Sequence, residues 1–527
     1  MNVAIRTDVS INDHAHTHAL NRFAVIPVAE RLGADTTLAG RGVTIAFLDS
    51  GFYAHPDLVS PHNRILAYHD VTNPKARLDV DPPPQSWDWH GAQTSVAAAG
   101  NGFLSEGVYR GLASEAMVVL VKVSDRGRIT DESIVRGLDW VIANKDRYRI
   151  RIVSMSLGGD IEASFKDSPV DVAAERAVQA GLTVVVAAGN AGCSDHPRPI
   201  PPANAPSVIT IGGYNDHNEP DALNPDPYCS SFGPTIDGLM KPEIVAPAIW
   251  VAAPILPETD FYRQAEALSL IAAAPDYKLR KLAGELWQAA ALPDSIAGAF
   301  AAEIRETAGA YLRELKIVAT HYQHVDGTSF AAPIVASLIA QMLEANPKLT
   351  PAVIKNILIA TADRSPRLTL RHQGYGVLNA QRAVAEAGRE AHTHEECDFN
   401  APRIENGRLV FWYHDDVAKQ VSLAGDFNDW NPKQTYFTRH ASGMWQAALP
   451  PLPPGTYQYK LVVDGGRWLE DPSNGLKTED NHGGFNSVLH IAEFGAIGDS
   501  GNTPQEDEDI AKAGAAVALA AIQGGGK

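Results

Sequence analysis

The chain has 527 residues, 45% of them hydrophobic, with three cysteines and a formal charge of −18 at pH 7. That length exceeds one ordinary core and predicts more than one domain. The acidic balance repels phosphate and so argues against nucleic acid and anionic membranes as partners, and no uninterrupted apolar run is long enough to span a bilayer.

In chain order, Met1 to Asp8 lacks the basic-then-apolar pattern of a secretory signal, which sets a cytoplasmic location as the expectation. Val43 to Leu48 is a nearly continuous apolar run that predicts a buried parallel strand. It ends in Asp49-Ser50-Gly51, placing a carboxylate at a strand's carboxyl end, where open α/β sheets build their sites. His90-Gly91 then enters a helical run through Ala99. A second apolar strand, Leu182 to Ala188, ends in Gly189-Asn190, whose side-chain amide is a hydrogen-bond donor. Asp326-Gly327-Thr328-Ser329 opens the apolar helical run Phe330-Ala331-Ala332-Pro333. A Gly-Thr-Ser alone is ordinarily a helix cap, because serine oxygens satisfy the free N–H groups of a first turn. Beside an aspartate, a histidine and an amide donor, the serine acquires a base and an oxyanion site.

These motifs, joined by Ser154-Met155-Ser156-Leu157-Gly158-Gly159 and Lys241 to Pro247, resemble the subtilisin-like serine proteases over roughly residues 20 to 390. The resemblance implies an α/β peptidase domain with a parallel sheet flanked by helices, in which Ser329 attacks, His90 acts as base and Asp49 orients the imidazole. Asn190 and the Ser329 backbone N–H are the implied oxyanion donors. It also implies a peptide or protein substrate laid as an added strand between Gly127-Arg128-Ile129 and Ser156-Leu157-Gly158. Arg128 is either a lining residue that favours acidic side chains or an ordinary solvated arginine. No cofactor is required for this chemistry. The resemblance also leaves room for structural calcium, but the family's calcium sites rest largely on backbone carbonyls, so the sequence assigns it no ligands. Ala92 and Gln93 after the His-Gly pair and Phe330 after the serine depart from the family pattern, which puts rate and specificity, not mechanism, in question. With 48 residues before Asp49, the intracellular members are the better match.

Between Ala246-Pro247 and the serine lies an insertion, 257–316, read as a helical hairpin. Asp276 and Asp294 are its expected N-caps, and Ile296, Phe300, Ile304, Tyr311 and Leu315 its apolar face. It either packs its own stripe against the catalytic domain or acts as a lid. Cys193, Cys229 and Cys397 cannot all pair within one chain, which favours a reducing compartment and a structural thiol at Cys193. His14, His16 and His18, and His392, His394 and Cys397, are candidate metal clusters with flexible polar tracts as the alternative.

After a linker at 391–400, residues 401–492 become short strand-forming runs between turns, a β-sandwich pattern. Gly425-Asp426-Phe427-Asn428-Asp429-Trp430, Tyr459-Lys460, Asp464 to Trp468, Asp471-Pro472 and Asn486 to Leu489 resemble the glycogen-binding early-set domain of α-glucan branching enzymes and of the AMP-activated protein kinase β subunit. The resemblance implies a tryptophan platform of Trp430 and Trp468, with Lys460 and Asn486 reaching sugar hydroxyls. The tail, 493–527, is acidic and then alanine-rich. The expected molecule is a serine endopeptidase that its C-terminal module would localise to α-glucan; the competing reading is a non-hydrolytic glucan-associated scaffold on the same fold.

Overall fold

The computed structural model describes residues 25–78, 84–159, 161–220, 225–389 and 402–491, the last with breaks at 406–407, 416, 440–443, 454, 473 and 475–476. The segment 1–19, the linker 391–400 and the tail 493–527 lie outside the described residues, and with them both histidine clusters and Cys397.

A central sheet runs in the order Ile244–Pro247, Ile209–Asn215, Thr183–Ala187, Ile150–Met155, Thr44–Asp49, Met117–Lys122, Ile65–Asp70, with every neighbouring pair parallel. Alternation along Thr44–Asp49 explains why the strand reads as continuously apolar. Ile45 and Phe47 enter a core shared with the helices Trp89–Ala99 and Thr328–Ala345, while Leu48 and Ala46 enter a second core against Asp131–Tyr148 and Pro169–Gln179. The flanking helices start where the sequence supplies caps. Thr130 and Ser133 cap each other's backbone N–H groups, and Ser168 accepts from Asp171 N–H just ahead of Pro169. Thr328–Ala345 is apolar and long enough to cross a membrane, but it is buried in the first core.

The insertion holds three helices, Asp260–Ala273, Asp276–Leu286 and Ala301–Glu314, so it is larger than the expected hairpin. It has its own core, including Leu268, Ile271, Leu279 and Ile304. Its base is the antiparallel pair Val251–Pro254 and Tyr322–Val325, and the second of these strands leads into the serine turn. Neither expected aspartate is a cap. Pro275 and Pro293 themselves take the extended N-cap conformation, which moves Asp276 to the first helical position and Asp294 into a short 3-10 turn, Asp294–Gly298. Asp276 instead pairs with Arg305 at 2.6 Å. Phe300, expected on the apolar face, precedes the helix and is 85% exposed.

The C-terminal region is all-antiparallel. A four-stranded sheet built on Arg408–His414 and Met444–Leu449 accompanies a larger one built on Val421–Gly425, Gly455–Val463 and Phe485–Ile491. Leu409, Phe411, Val421, Leu461 and Leu489 from both sheets meet in one core, as a β-sandwich requires.

Candidate active site

The carboxyl ends of the strands deliver the candidate residues. Asp49 ends its strand and is 2% exposed, and His90 sits in the first turn of its helix with Nδ1 2.8 Å from Asp49 Oδ1. Gly91 permits this approach. A Cβ there would meet Gly51 O at 2.1 Å and Asp49 Cβ at 2.9 Å, so any side chain would push the histidine helix off the strand. Asp49 Oδ1 also accepts from Ser50 N–H at 2.7 Å, and Oδ2 accepts from the Thr94 hydroxyl at 3.1 Å. Burial opposes charge on His90, but the Asp49 charge and hydrogen bond outweigh it and hold the imidazole above its ordinary value.

The His90 ring lies 6.1 Å from the ring of Phe330, which sets the imidazole beside the first turn of the helix Thr328–Ala345. Partly buried Ser329 is the second residue of that helix. Pro333 has no N–H to give to the carbonyl four residues earlier, so the Ser329 carbonyl loses its helical partner. Ser156 Oγ replaces that partner at 2.7 Å, tying an expected substrate-edge segment to the serine turn. Gly327 precedes the helix at φ 136°, a conformation that favours glycine.

Asn190 is exposed, and its Oδ1 accepts from both Thr328 N–H at 2.9 Å and Thr328 Oγ1 at 3.1 Å. A backbone N–H can only donate, so this contact fixes the amide with its carbonyl toward Thr328 and leaves Nδ2 as the outward donor. Asn190 Nδ2 and Ser329 N each lie 3.7 Å from the point where a Gly327 Cβ would stand. The bare glycine leaves the space between the two donors free.

Gly127 and Arg128 are exposed on the hairpin that pairs Ser124–Asp125 with Arg128–Ile129, and Ile129 packs its side chain on the second core. Arg128 is solvated on this hairpin. On the other segment Ser156 is buried, Leu157 packs on the second core and Gly158 is exposed. Just beyond the two segments the chain approaches itself, since a Cβ on Gly159 would come within 3.1 Å of Asp131 Oδ1.

The cysteine expectation is overturned. Cys193 is not a free thiol but is bonded to Cys229, with Cα atoms 5.1 Å apart, and the cysteine argument for a reducing compartment falls with it. Odd parity misled, because the fold brings together two cysteines 36 residues apart and leaves the third in a different part of the chain. Thr94 was also missed. Its signal was spacing, four residues after His90 on one helix and therefore on the same face.

In the sandwich, Trp430 Nε1–H donates to Asp426 Oδ1 at 2.8 Å, Asp426 Oδ2 accepts from Gln458 N–H at 2.6 Å, and Asn486 Nδ2 donates to Gln458 Oε1 at 2.8 Å. Gln458, Lys460 and Val462 alternate on one face of their strand, and Trp468 stands opposite Val462. Three of the four expected sugar-binding residues are thus linked to one sheet face, and the contact chain from Asp426 brings in Trp430. Lys460 is paired with Asp480. Among the described residues no group of three or more His, Cys, Asp or Glu side chains gathers as a metal site.

A family model described as the subtilase family matches residues 40–376, and one described as the glycogen recognition site of AMP-activated protein kinase matches residues 408–496. Serine protease AprX of Bacillus subtilis (strain 168) is 32% identical over 357 residues, which is 66% of this chain and 67% of that protein. A cuticle-degrading serine protease of Orbilia oligospora is 29% identical over 205 residues, 38% of this chain and 42% of its own. Among solved structures, fervidolysin from Fervidobacterium pennivorans aligns at 18% identity with a TM-score of 0.48, covering 83% of this chain and 54% of its own.

Proposed function

The chain belongs to the subtilase family of serine proteases, and we propose that it cleaves peptide bonds through an acyl-enzyme on Ser329, with its C-terminal module holding the peptidase on α-glucan. The observation that carries the first part is the 2.8 Å contact between buried Asp49 and His90, whose ring lies 6.1 Å from that of Phe330, the residue after Ser329. In this reading His90 Nε2 takes the Ser329 proton as Oγ attacks the scissile carbonyl, then returns it to the leaving amine. Asp49 keeps the proton of the resting imidazole on Nδ1 and stabilises the imidazolium. The developing oxyanion lies between Asn190 Nδ2 and Ser329 N–H. Water, deprotonated by His90, then releases the acyl group and restores the serine. The peptide pairs its backbone with the segments 127–129 and 156–158, which gives affinity with little sequence choice.

A fluorophosphonate probe tests the assignment. It is expected to label Ser329 in the folded chain and to leave Ser329→Ala unlabelled. Asn190→Ala is expected to retain the fold and lose about 10² to 10³ in turnover, a magnitude measured on a subtilisin. A folded wild-type chain that takes no label would sink the nucleophile assignment. Glucan association is supported by the module match and by the shared face of Trp468, Lys460 and Asn486. Retardation of the full chain in a glycogen-containing native gel, lost in Trp468→Ala, tests it.

A further inference from the structure

The polar end of the module's sheet face does not open to solvent alone. It forms one wall of a cleft of about 590 Å³ whose other wall belongs to the peptidase domain. Gln458, Lys477 and Asn486 line one side, and Pro234, Met240 and Arg371 line the other. Its size lies within the range of ordinary small-molecule sites.

The chemistry of the walls selects an occupant. Asn486 gives one amide hydrogen to Gln458, and the pair still has donors on Gln458 Nε2 and a carbonyl acceptor on Asn486. Hydroxyl groups, which both give and take a hydrogen bond, match that mixture. Pro234 and Met240 add apolar surface suited to the C–H faces of a sugar ring. Arg371 pairs with Glu479 at 2.9 Å, Lys460 pairs with Asp480, and the Lys477 ammonium lies over the Tyr375 ring, so each of these cations is already engaged and the site offers little to an anion. The contact chain from Asn486 through Gln458 and Asp426 connects the cleft to Trp430.

We propose that the cleft is a composite carbohydrate subsite, in which an α-glucan chain lying on the module runs on between Gln458 and Asn486 on one side and Pro234, Met240 and Arg371 of the peptidase domain on the other. This inference rests on the module's reading as a glucan binder, and goes further in making the peptidase domain part of the ligand site. Glucan occupancy then also favours the docked arrangement of the two domains, because only that arrangement completes the site.

The test is calorimetric titration of maltoheptaose into the full-length Ser329→Ala chain, which prevents self-cleavage during the measurement. On this background Met240→Ala and Arg371→Ala, each checked by thermal melting, are expected to weaken binding by about fivefold or more, although neither residue belongs to the module. In the chain that retains Ser329, Met240→Ala is expected to leave short-peptide hydrolysis unchanged. Trp468→Ala supplies the module-side comparison and is expected to weaken binding at least as much. If the parent chain binds and Trp468→Ala weakens it, but both peptidase-domain variants stay within about twofold, the composite wall is overturned and the module reading stands. If the parent chain itself does not bind, the glucan reading fails and the inference with it.

Discussion

At the scale of single residues, Asp49 has its two oxygens committed to different tasks. Oδ1 holds His90 Nδ1 and Ser50 N–H, while Oδ2 takes the Thr94 hydroxyl. Thr94 has one proton and two acceptors, Asp49 Oδ2 at 3.1 Å and Gly91 O at 3.2 Å. The ionised carboxylate is the stronger of the two, so the bond goes to Asp49. Thr94→Val removes this donor at nearly constant volume. The less-solvated carboxylate then attracts the imidazolium more strongly and is less firmly oriented. In the parent enzyme the active base is neutral His90, whose value is already raised, so kcat/KM is expected to climb with pH through an apparent pKa above the ordinary histidine value of about 6.5. Thr94→Val is expected to move that limb further up and to lower the plateau by about three- to tenfold, with Thr94→Ser restoring both. An acid limb and plateau unchanged in Thr94→Val would remove Thr94 from the positioning of Asp49.

At the scale of elements, what could be read from the chain followed the range of the forces involved. Thr44–Asp49 and Thr183–Ala187 were legible because burial on both faces demands continuous apolar runs, and Trp89–Ala99 because one short segment contains its whole pattern. The capping of the insertion was not, since a proline beside an aspartate permits either residue to be the cap. The disulfide was not legible because its partners meet only after the strands Thr183–Ala187 and Ile209–Asn215 have paired. That bond lies on the loop of Asn190, but so do three hydrogen bonds, Ser231 N–H to Gly189 O at 2.8 Å, Ala191 N–H to Ser231 Oγ at 3.1 Å and Gly192 N–H to Cys229 O at 3.0 Å. Closing a loop of this length contributes roughly 3–4 kcal/mol through the unfolded chain. Replacing both cysteines with serine is therefore expected to lower Tm markedly, while turnover stays within about threefold because the hydrogen bonds still hold Asn190. A fall in kcat as deep as that of Asn190→Ala, with Tm unchanged, would reverse the assignment and make the disulfide the clamp on the oxyanion site.

At the scale of the whole molecule, Met444 and Trp412 of the sandwich pack on the peptidase core, and charged side chains join the two domains beside them. Arg364 pairs with Glu470, and Arg371 pairs with Glu479, but such exposed pairs contribute only about 0–1 kcal/mol each. Lys477 is different. Its ammonium lies 3.2 Å from the centroid of the Tyr375 ring, a cation–π contact made across the domain boundary. Burial there pushes its pKa well below the usual lysine value, and the positive charges of Arg364 and Lys355 add to the shift while Glu243 opposes it. The sign of the pH effect follows from proton counts. Between the lowered folded value and the ordinary unfolded value near 10.4, the unfolded chain binds the extra proton, so stability rises with pH across that window. Below the folded value lysine is charged in both states and the full cost of confining that charge is present. Lys477→Met keeps much of the side chain's apolar contact with Tyr375 and removes the charge. It is expected to raise Tm at pH 7 and to flatten the rise of Tm with alkaline pH relative to the parent chain. Parallel Tm-versus-pH curves with no gain at pH 7 would mean that Lys477 is held without cost, and that the cation–π contact at least offsets its desolvation.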